Sequence, residues 1–104
     1  MIKVTVLYPN QPGKKFDMAY NTGKHLPLVQ QRLKAFGLVG SEVEQGISAA
    51  DPKAPAPFVA VTNLYFRTAE QLHEGFKAHG REIMGDIKNY TDIQPQFQIS
   101  EIVG

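Results

Sequence analysis

Cysteine is absent from the 104 residues, so neither a disulfide nor a thiolate-bound metal can brace the fold. An excess of charge of one sign is also lacking: 11 Lys and Arg stand against 10 Asp and Glu, a formal net of +1. Nucleic acid and anionic membrane surfaces are therefore disfavoured as partners, because both are recognised by clustered Lys and Arg. No window approaches the ~18 consecutive apolar residues of a membrane span. The opening run Met1-Ile2-Lys3-Val4-Thr5-Val6-Leu7-Tyr8 lacks the apolar core of a secretory signal, which makes a cytoplasmic protein the default expectation. There is no fixed-period repeat, no glycine-rich phosphate loop and no nucleophile-elbow motif, and Ser41, Ser48 and Ser100 have no nucleophile context. No cofactor is expected. His73 and His79 are six apart, off a shared helical face, so no metal site is expected and both read as solvated.

What remains is an ordinary globular composition, 42% apolar and 20% charged, in a length that suits one domain over 1–104. At this size folding buries only about two-thirds of the unfolded chain's surface, so a partner subunit would help. Alternation of Ile2, Val4, Val6 and Tyr8 with Lys3, Thr5 and Leu7 predicts a strand over 2–8, closed by Pro9-Asn10-Gln11-Pro12-Gly13. Asp17 then caps a helix over 17–36, with apolar Leu26, Val29, Leu33 and Phe36 and Gly37 as its stop. Pro27 lies inside that helix and must kink or restart it.

A weak strand pattern from Leu38 to about Ala49 precedes the segment 51–57, whose three prolines make it the main loop. Phe58 to Phe66 is β-branched and aromatic on both faces, the pattern of a covered central strand. Thr68 and Gln71 predict a capping box opening a second helix at 69, which Gly80 should interrupt, and Gln96 to Ser100 alternates as a last strand. The order is β-α-β-β-α-β, an α+β ferredoxin-like arrangement with two helices on one sheet face. The bare second face predicts a homodimer joined sheet to sheet.

Phe16-Asp17-Met18-Ala19-Tyr20 followed by His25-Leu26-Pro27-Leu28-Val29 resembles the first-helix signature of the EthD family, named for ethyl tert-butyl ether degradation. Asn63-Leu64-Tyr65-Phe66, Met84-Gly85-Asp86-Ile87, Asn89-Tyr90-Thr91-Asp92 and Gln98-Ile99-Ser100-Glu101 are similar to it as well, so the resemblance spans essentially the whole chain. It implies a ferredoxin-like subunit forming a dimeric α+β barrel, similar in architecture to small polyketide-tailoring monooxygenases. It also implies a small hydrophobic or aromatic ligand, handled either by cofactor-free catalysis or by a non-catalytic accessory protein of an ether-degrading oxygenase system.

His25 is the candidate general acid or base, because imidazole titrates near neutral pH and the residue sits beside the Pro27 irregularity. The plainer alternative is that it satisfies backbone freed by Pro27. Tyr8, Tyr20, Tyr65 and Tyr90 are candidate ligand-lining residues, each offering an apolar wall and one hydroxyl; the plainer alternative is core or interface packing. Asp17 and Asp86 are the candidate carboxylate partners of His25, although Asp and Asn near a helix end, as at Asp86 and Asn89, more often bond local backbone. A pocket is expected between the first helix and the sheet.

Overall fold

The computed structural model describes residues 1–104. Strand β1, Ile2–Pro9, runs down the middle of a four-stranded sheet and pairs antiparallel with both β3, Phe58–Phe66, and β4, Gln96–Glu101. Strand β2, Leu38–Gln45, pairs antiparallel with β3, giving the ferredoxin-like spatial order β2-β3-β1-β4. Two helical segments, α1 over 18–36 and α2 at Ala69–Asp86, cover one face. No helix is long and apolar enough to cross a membrane.

Register decides which residues meet the helices. Val4 stands opposite Leu64 and Ile99, Val6 opposite Thr62 and Phe97, and Tyr8 opposite Ala60, so these residues share the inner face. Of these, Val4, Val6, Tyr8, Ala60 and Leu64 form the core with Val29 and Leu33 of α1, Leu72 and Ile83 of α2, and Tyr90 and Ile93 beyond it, while Phe97 and Ile99 on the edge strand stay half-exposed. The outer face carries Lys3, Thr5 and Leu7, then Val61, Asn63 and Tyr65, flanked by Glu42, Glu44, Gln96 and Gln98. This corrects the uniformly apolar second face that β3 alone suggests: its neighbours present carboxylates and amides there.

Segment α1 starts as expected, with the Asp17 carboxylate accepting from the Tyr20 N–H at 3.0 Å. The Pro27 irregularity takes a specific form. Asn21–His25 is a π-helical turn in which the Leu26 N–H reaches back five residues to the Asn21 carbonyl, and regular helix resumes at Leu26–Leu33. Asn21 and His25 both turn inward. A last 3-10 turn, Lys34–Phe36, ends at Gly37, whose φ of 78° is left-handed and suits glycine.

Thr68 caps α2 by accepting from the Gln71 N–H at 3.1 Å, while the Gln71 side chain meets the Thr68 hydroxyl rather than its N–H. The helix then runs unbroken through Gly80, contrary to expectation. One glycine inside a helix costs about 1 kcal/mol relative to alanine, and the Leu72 and Ile83 anchors on either side are buried deeply enough to outweigh it. Gly75 has a different role: a Cβ there would sit 3.0 Å from both Leu33 Cδ2 and Phe36 Cβ, so it allows α1 and α2 to approach closely. Arg32 and Glu82 bridge the same pair of helices at 2.8 Å.

Candidate functional site

The ends of the two helices meet around a carboxylate. Asp86, the last residue of α2, accepts from His25 Nδ1 at 2.8 Å on Oδ2, and from the Tyr20 hydroxyl and Asn89 Nδ2, each at 2.8 Å, on Oδ1. Asn89 belongs to the 3-10 turn Ile87–Asn89 that continues the helix. Asp86 thus bonds side chains of α1, not local backbone, and Asp17 is occupied as a cap. His25 is likewise not a backbone-satisfying residue; its Nδ1–H points at Asp86. With Nδ1–H donating to the carboxylate, the neutral tautomer of the ring carries its lone pair on Nε2, which has no protein partner and is not among the sealed-off polar atoms.

Partial burial alone would raise the Asp86 carboxyl, but Asn89, His25 and Tyr20 outweigh it and hold it below the ordinary carboxylate range. The hydrogen bond to Asp86 in turn pushes the Tyr20 phenol up. An ionised Asp86 beside an imidazole is the orienting half of a general acid–base pair.

Tyr90 is the floor of this arrangement. It is fully buried, lies 4.7 Å from the His25 ring and stacks at 6.1 Å with Tyr20, while Phe16 and Tyr8 meet it edge-on at 5.4 and 6.0 Å. Its hydroxyl bonds that of Tyr8. Burial, and next the facing Tyr8 hydroxyl, push Tyr90 far up, and burial raises Tyr8 as well, so both phenols stay neutral. The segment before α1 is stitched to the same region: Asp17 N–H donates to the Tyr90 carbonyl at 2.7 Å, and the Thr91 hydroxyl donates to the Lys15 carbonyl at 2.6 Å.

Three of the four tyrosines therefore cluster together: Tyr90 lies against His25, Tyr20 shares the Asp86 carboxylate with it, and Tyr8 reaches it only through Tyr90. Tyr65 does not join them. It stands on the outer sheet face, where its hydroxyl donates to Glu42 at 2.7 Å and the Lys3 ammonium lies 6.0 Å from its ring. On that face Asn63 is buried, with Nδ2 donating to Glu42 and Glu44 at 3.1 and 2.7 Å and with Oδ1 unpartnered.

The space between α1 and the sheet, where a pocket was expected, is filled by Tyr8, Phe16 and Tyr90 with the buried Asn21. A cleft of about 340 Å³ lies instead beside α2, walled by Val4, Leu72, His73, Phe76, Gly80, Met84, Phe97 and Ile99. It exists because β4 is an edge strand whose inner-face residues α2 only partly covers: Phe97 and Ile99 remain 45% and 54% exposed. A more polar depression of about 310 Å³ adjoins it past Met84 and Phe97, toward Lys88 and Asp92. Sequence reasoning missed the cleft, although Leu72, Phe76, Gly80 and Met84 recur every four residues and Phe97 alternates with Ile99. No group of three His, Cys, Asp or Glu side chains is placed to hold a metal ion.

No family model matches the chain, and no curated protein matches it. Among solved structures, an EthD-like protein from Ralstonia eutropha JMP134 is 43% identical, with a TM-score of 0.93 over 99% of this chain and 92% of that one. An ethyl tert-butyl ether degradation family protein from Bacillus halodurans shares the fold at 20% identity and a TM-score of 0.68, covering 99% of each chain. A ferredoxin-like DABB family protein from Mesorhizobium loti shares it at 12% identity and a TM-score of 0.58, over 99% of this chain and 97% of that one. At that identity and coverage to the Ralstonia protein, the chain belongs to the EthD-like family.

Proposed function

We propose that this EthD-like protein binds a small hydrophobic or aromatic intermediate in the cleft between α2 and the β1–β4 edge. The observation that carries the reading is the cleft itself: a depression of about 340 Å³ reaching the core at Val4 and Leu72, with half-exposed Met84, Phe97 and Ile99 at its rim. Apolar surface left open beside a core is unfavourable unless something covers it. Gly80 supports the reading, since a Cβ there would meet only Phe76 at 3.6 Å, an ordinary contact; packing does not demand glycine at this position of the wall. The name of the Bacillus protein's family supports a place beside a degradative pathway. The test is uptake of the neutral fluorophore N-phenyl-1-naphthylamine. Gly80→Phe, which projects a ring into the cleft, should weaken uptake at least tenfold, and wild-type protein that takes up no probe would refute the reading.

A second reading, general acid–base catalysis without a cofactor, is favoured by one specific observation, the His25–Asp86 contact with Nε2 free. Here His25→Gln keeps fold and ligand binding but lowers turnover of the pathway intermediate about 10²- to 10⁴-fold. Full activity of that variant would leave the binding role alone.

The working unit proposed is a homodimer with outer sheet faces apposed. Half-buried Leu7, Val59 and Val61 and the unpartnered Asn63 Oδ1 on or beside that face support it. Light scattering should give twice 11.5 kDa, and a monomer at micromolar concentration would end the idea.

A further inference from the structure

We propose that the cleft takes a straight-chain amphiphile with a carboxylate head, its alkyl tail lying along α2 and its head in the polar depression next to the cleft. This rests on the cleft being the binding site. The tail follows from shape and surface. Leu72, Phe76, Gly80 and Met84 line one wall at four-residue steps, so that wall runs about 18 Å along the helix axis. A volume of only about 340 Å³ drawn out over that length is a slot, not a bowl, and a linear chain can touch all of it. The slot exposes almost no polar surface. Methylene groups enter it without loss of hydrogen bonds, whereas a charged or hydrogen-bonding head has to lie outside it.

The head follows from what adjoins the Met84 end. Met84 and Phe97 line both the slot and the depression of about 310 Å³ beyond it, so one molecule can occupy the two. That depression presents polar and apolar surface in about equal measure, with Lys88, Asp92 and Gln94 in its lining. Lys88 is exposed and forms no ion pair. The Asp92 carboxylate accepts the Lys15 N–H at 2.9 Å and is held below the ordinary carboxylate range chiefly by that bond, and further by the nearby charges of Lys14 and Lys15. Three cations thus stand around one carboxylate, and the surplus favours an anionic head. Exposed charges contribute little, so the tail supplies most of the affinity and the head fixes its direction in the slot.

The probes are hexanoate, octanoate and decanoate, with 1-octanol as the uncharged counterpart, followed through the Met84 methyl resonance of ¹³C-methionine-labelled protein, assigned with Met84→Leu. Affinity should rise about two- to fourfold per added methylene, the upper figure for full burial. Lys88→Glu should weaken octanoate about two- to fivefold and leave 1-octanol within about twofold, a difference that added salt should shrink. Lys88 is exposed and unpaired, so this variant keeps the fold. If Lys88→Glu moves octanoate and 1-octanol alike, the anionic head is wrong and the cleft reading stands. Affinity independent of chain length places the tail outside the slot and also refutes the proposal. If none of the four probes shifts Met84 while N-phenyl-1-naphthylamine is still taken up, the straight-chain ligand falls alone; if that fluorophore is not taken up either, the cleft reading falls with it. A Met84 resonance that shifts with protein concentration and not with probe puts a second copy on the cleft, which overturns the proposal too.

Discussion

Replacing Asp86 tests structure and chemistry separately, because alanine and asparagine perturb it differently. Asp86→Ala removes the acceptor shared by His25, Tyr20 and Asn89. Of these His25 is the most enclosed, at 7% exposure, so its Nδ1–H loses its partner with little water to replace it. Hydrogen bonds to a charged group contribute about 1.5–3 kcal/mol each when buried, but one partly solvated carboxylate serving three donors delivers less than their sum. We take about 2 kcal/mol for the whole, which in a domain of this size lowers Tm by roughly 8–16 °C. Asp86→Asn keeps a carbonyl oxygen for Tyr20 and Asn89 and turns an amide N–H toward His25. The imidazole can accept that N–H only by moving its own proton to Nε2. Stability should then fall by less than about 1 kcal/mol while the tautomer inverts. Thermal unfolding followed by circular dichroism reads the first effect, and ¹⁵N chemical shifts of the imidazole read the second without any substrate. An Nδ1-protonated ring persisting in Asp86→Asn would refute the orienting role assigned to the carboxylate. So would an unchanged Tm in Asp86→Ala.

Acid should act through the same group: folded Asp86 holds its proton more weakly than the unfolded chain does, so its contribution is complete above about pH 4 and drains as the pH falls through the lower folded value. Asp92, lowered chiefly by the Lys15 N–H, acts in the same direction, and urea midpoints from pH 6 to 2 should show a shallower loss in Asp86→Asn than in wild type. Gly75→Ala should cost about 1–2 kcal/mol by forcing α1 off α2, whereas Gly80→Ala should gain about 0.5–1 kcal/mol, since its Cβ meets only ordinary contacts; equal denaturation midpoints would contradict both. Tyr8→Phe strands the buried Tyr90 hydroxyl and should cost about 1–2 kcal/mol, while the double change to Phe at both positions should lose less than the two single losses combined, a coupling that a double-mutant cycle measures.

The elements visible in the sequence are those with a local cause. Alternation set β1, Asp17 and Thr68 set the helix starts, and Gly37 set a helix stop, because each depends on residues within a turn or two. Pro27 announced an irregularity but not its kind; choosing a π turn depends on how Asn21 and His25 pack inward. The His25–Asp86 contact joins residues 61 apart, and nothing in either segment alone selects Asp86 over Asp17. Gly80 misled for a related reason: propensity is local, and burial of Leu72 and Ile83 on either side outweighs it. Tyr65 was separated from the other tyrosines by strand parity, which the register settles once β1 fixes the inner face.

Helix α2 keeps its two functional candidates apart. At about 100° per residue, Met84 and Asp86 point roughly 200° away from each other around the axis. Met84 faces the cleft with Phe76 and Gly80, while Asp86 shares the α1 side with Gly75 and Glu82. A ligand lying in the cleft therefore has the body of α2 between itself and His25. This makes binding and catalysis separable by substitution: Gly80→Phe closes one side, and His25→Gln changes the other. Catalysis on the cleft-bound molecule predicts that both variants lose turnover. If turnover survives Gly80→Phe and is lost in His25→Gln, the reacting molecule approaches Nε2 from outside the cleft, and the cleft serves a second ligand or a carrier role. If uptake is lost in Gly80→Phe and His25→Gln changes nothing but stability, the imidazole is a strut between the helix ends.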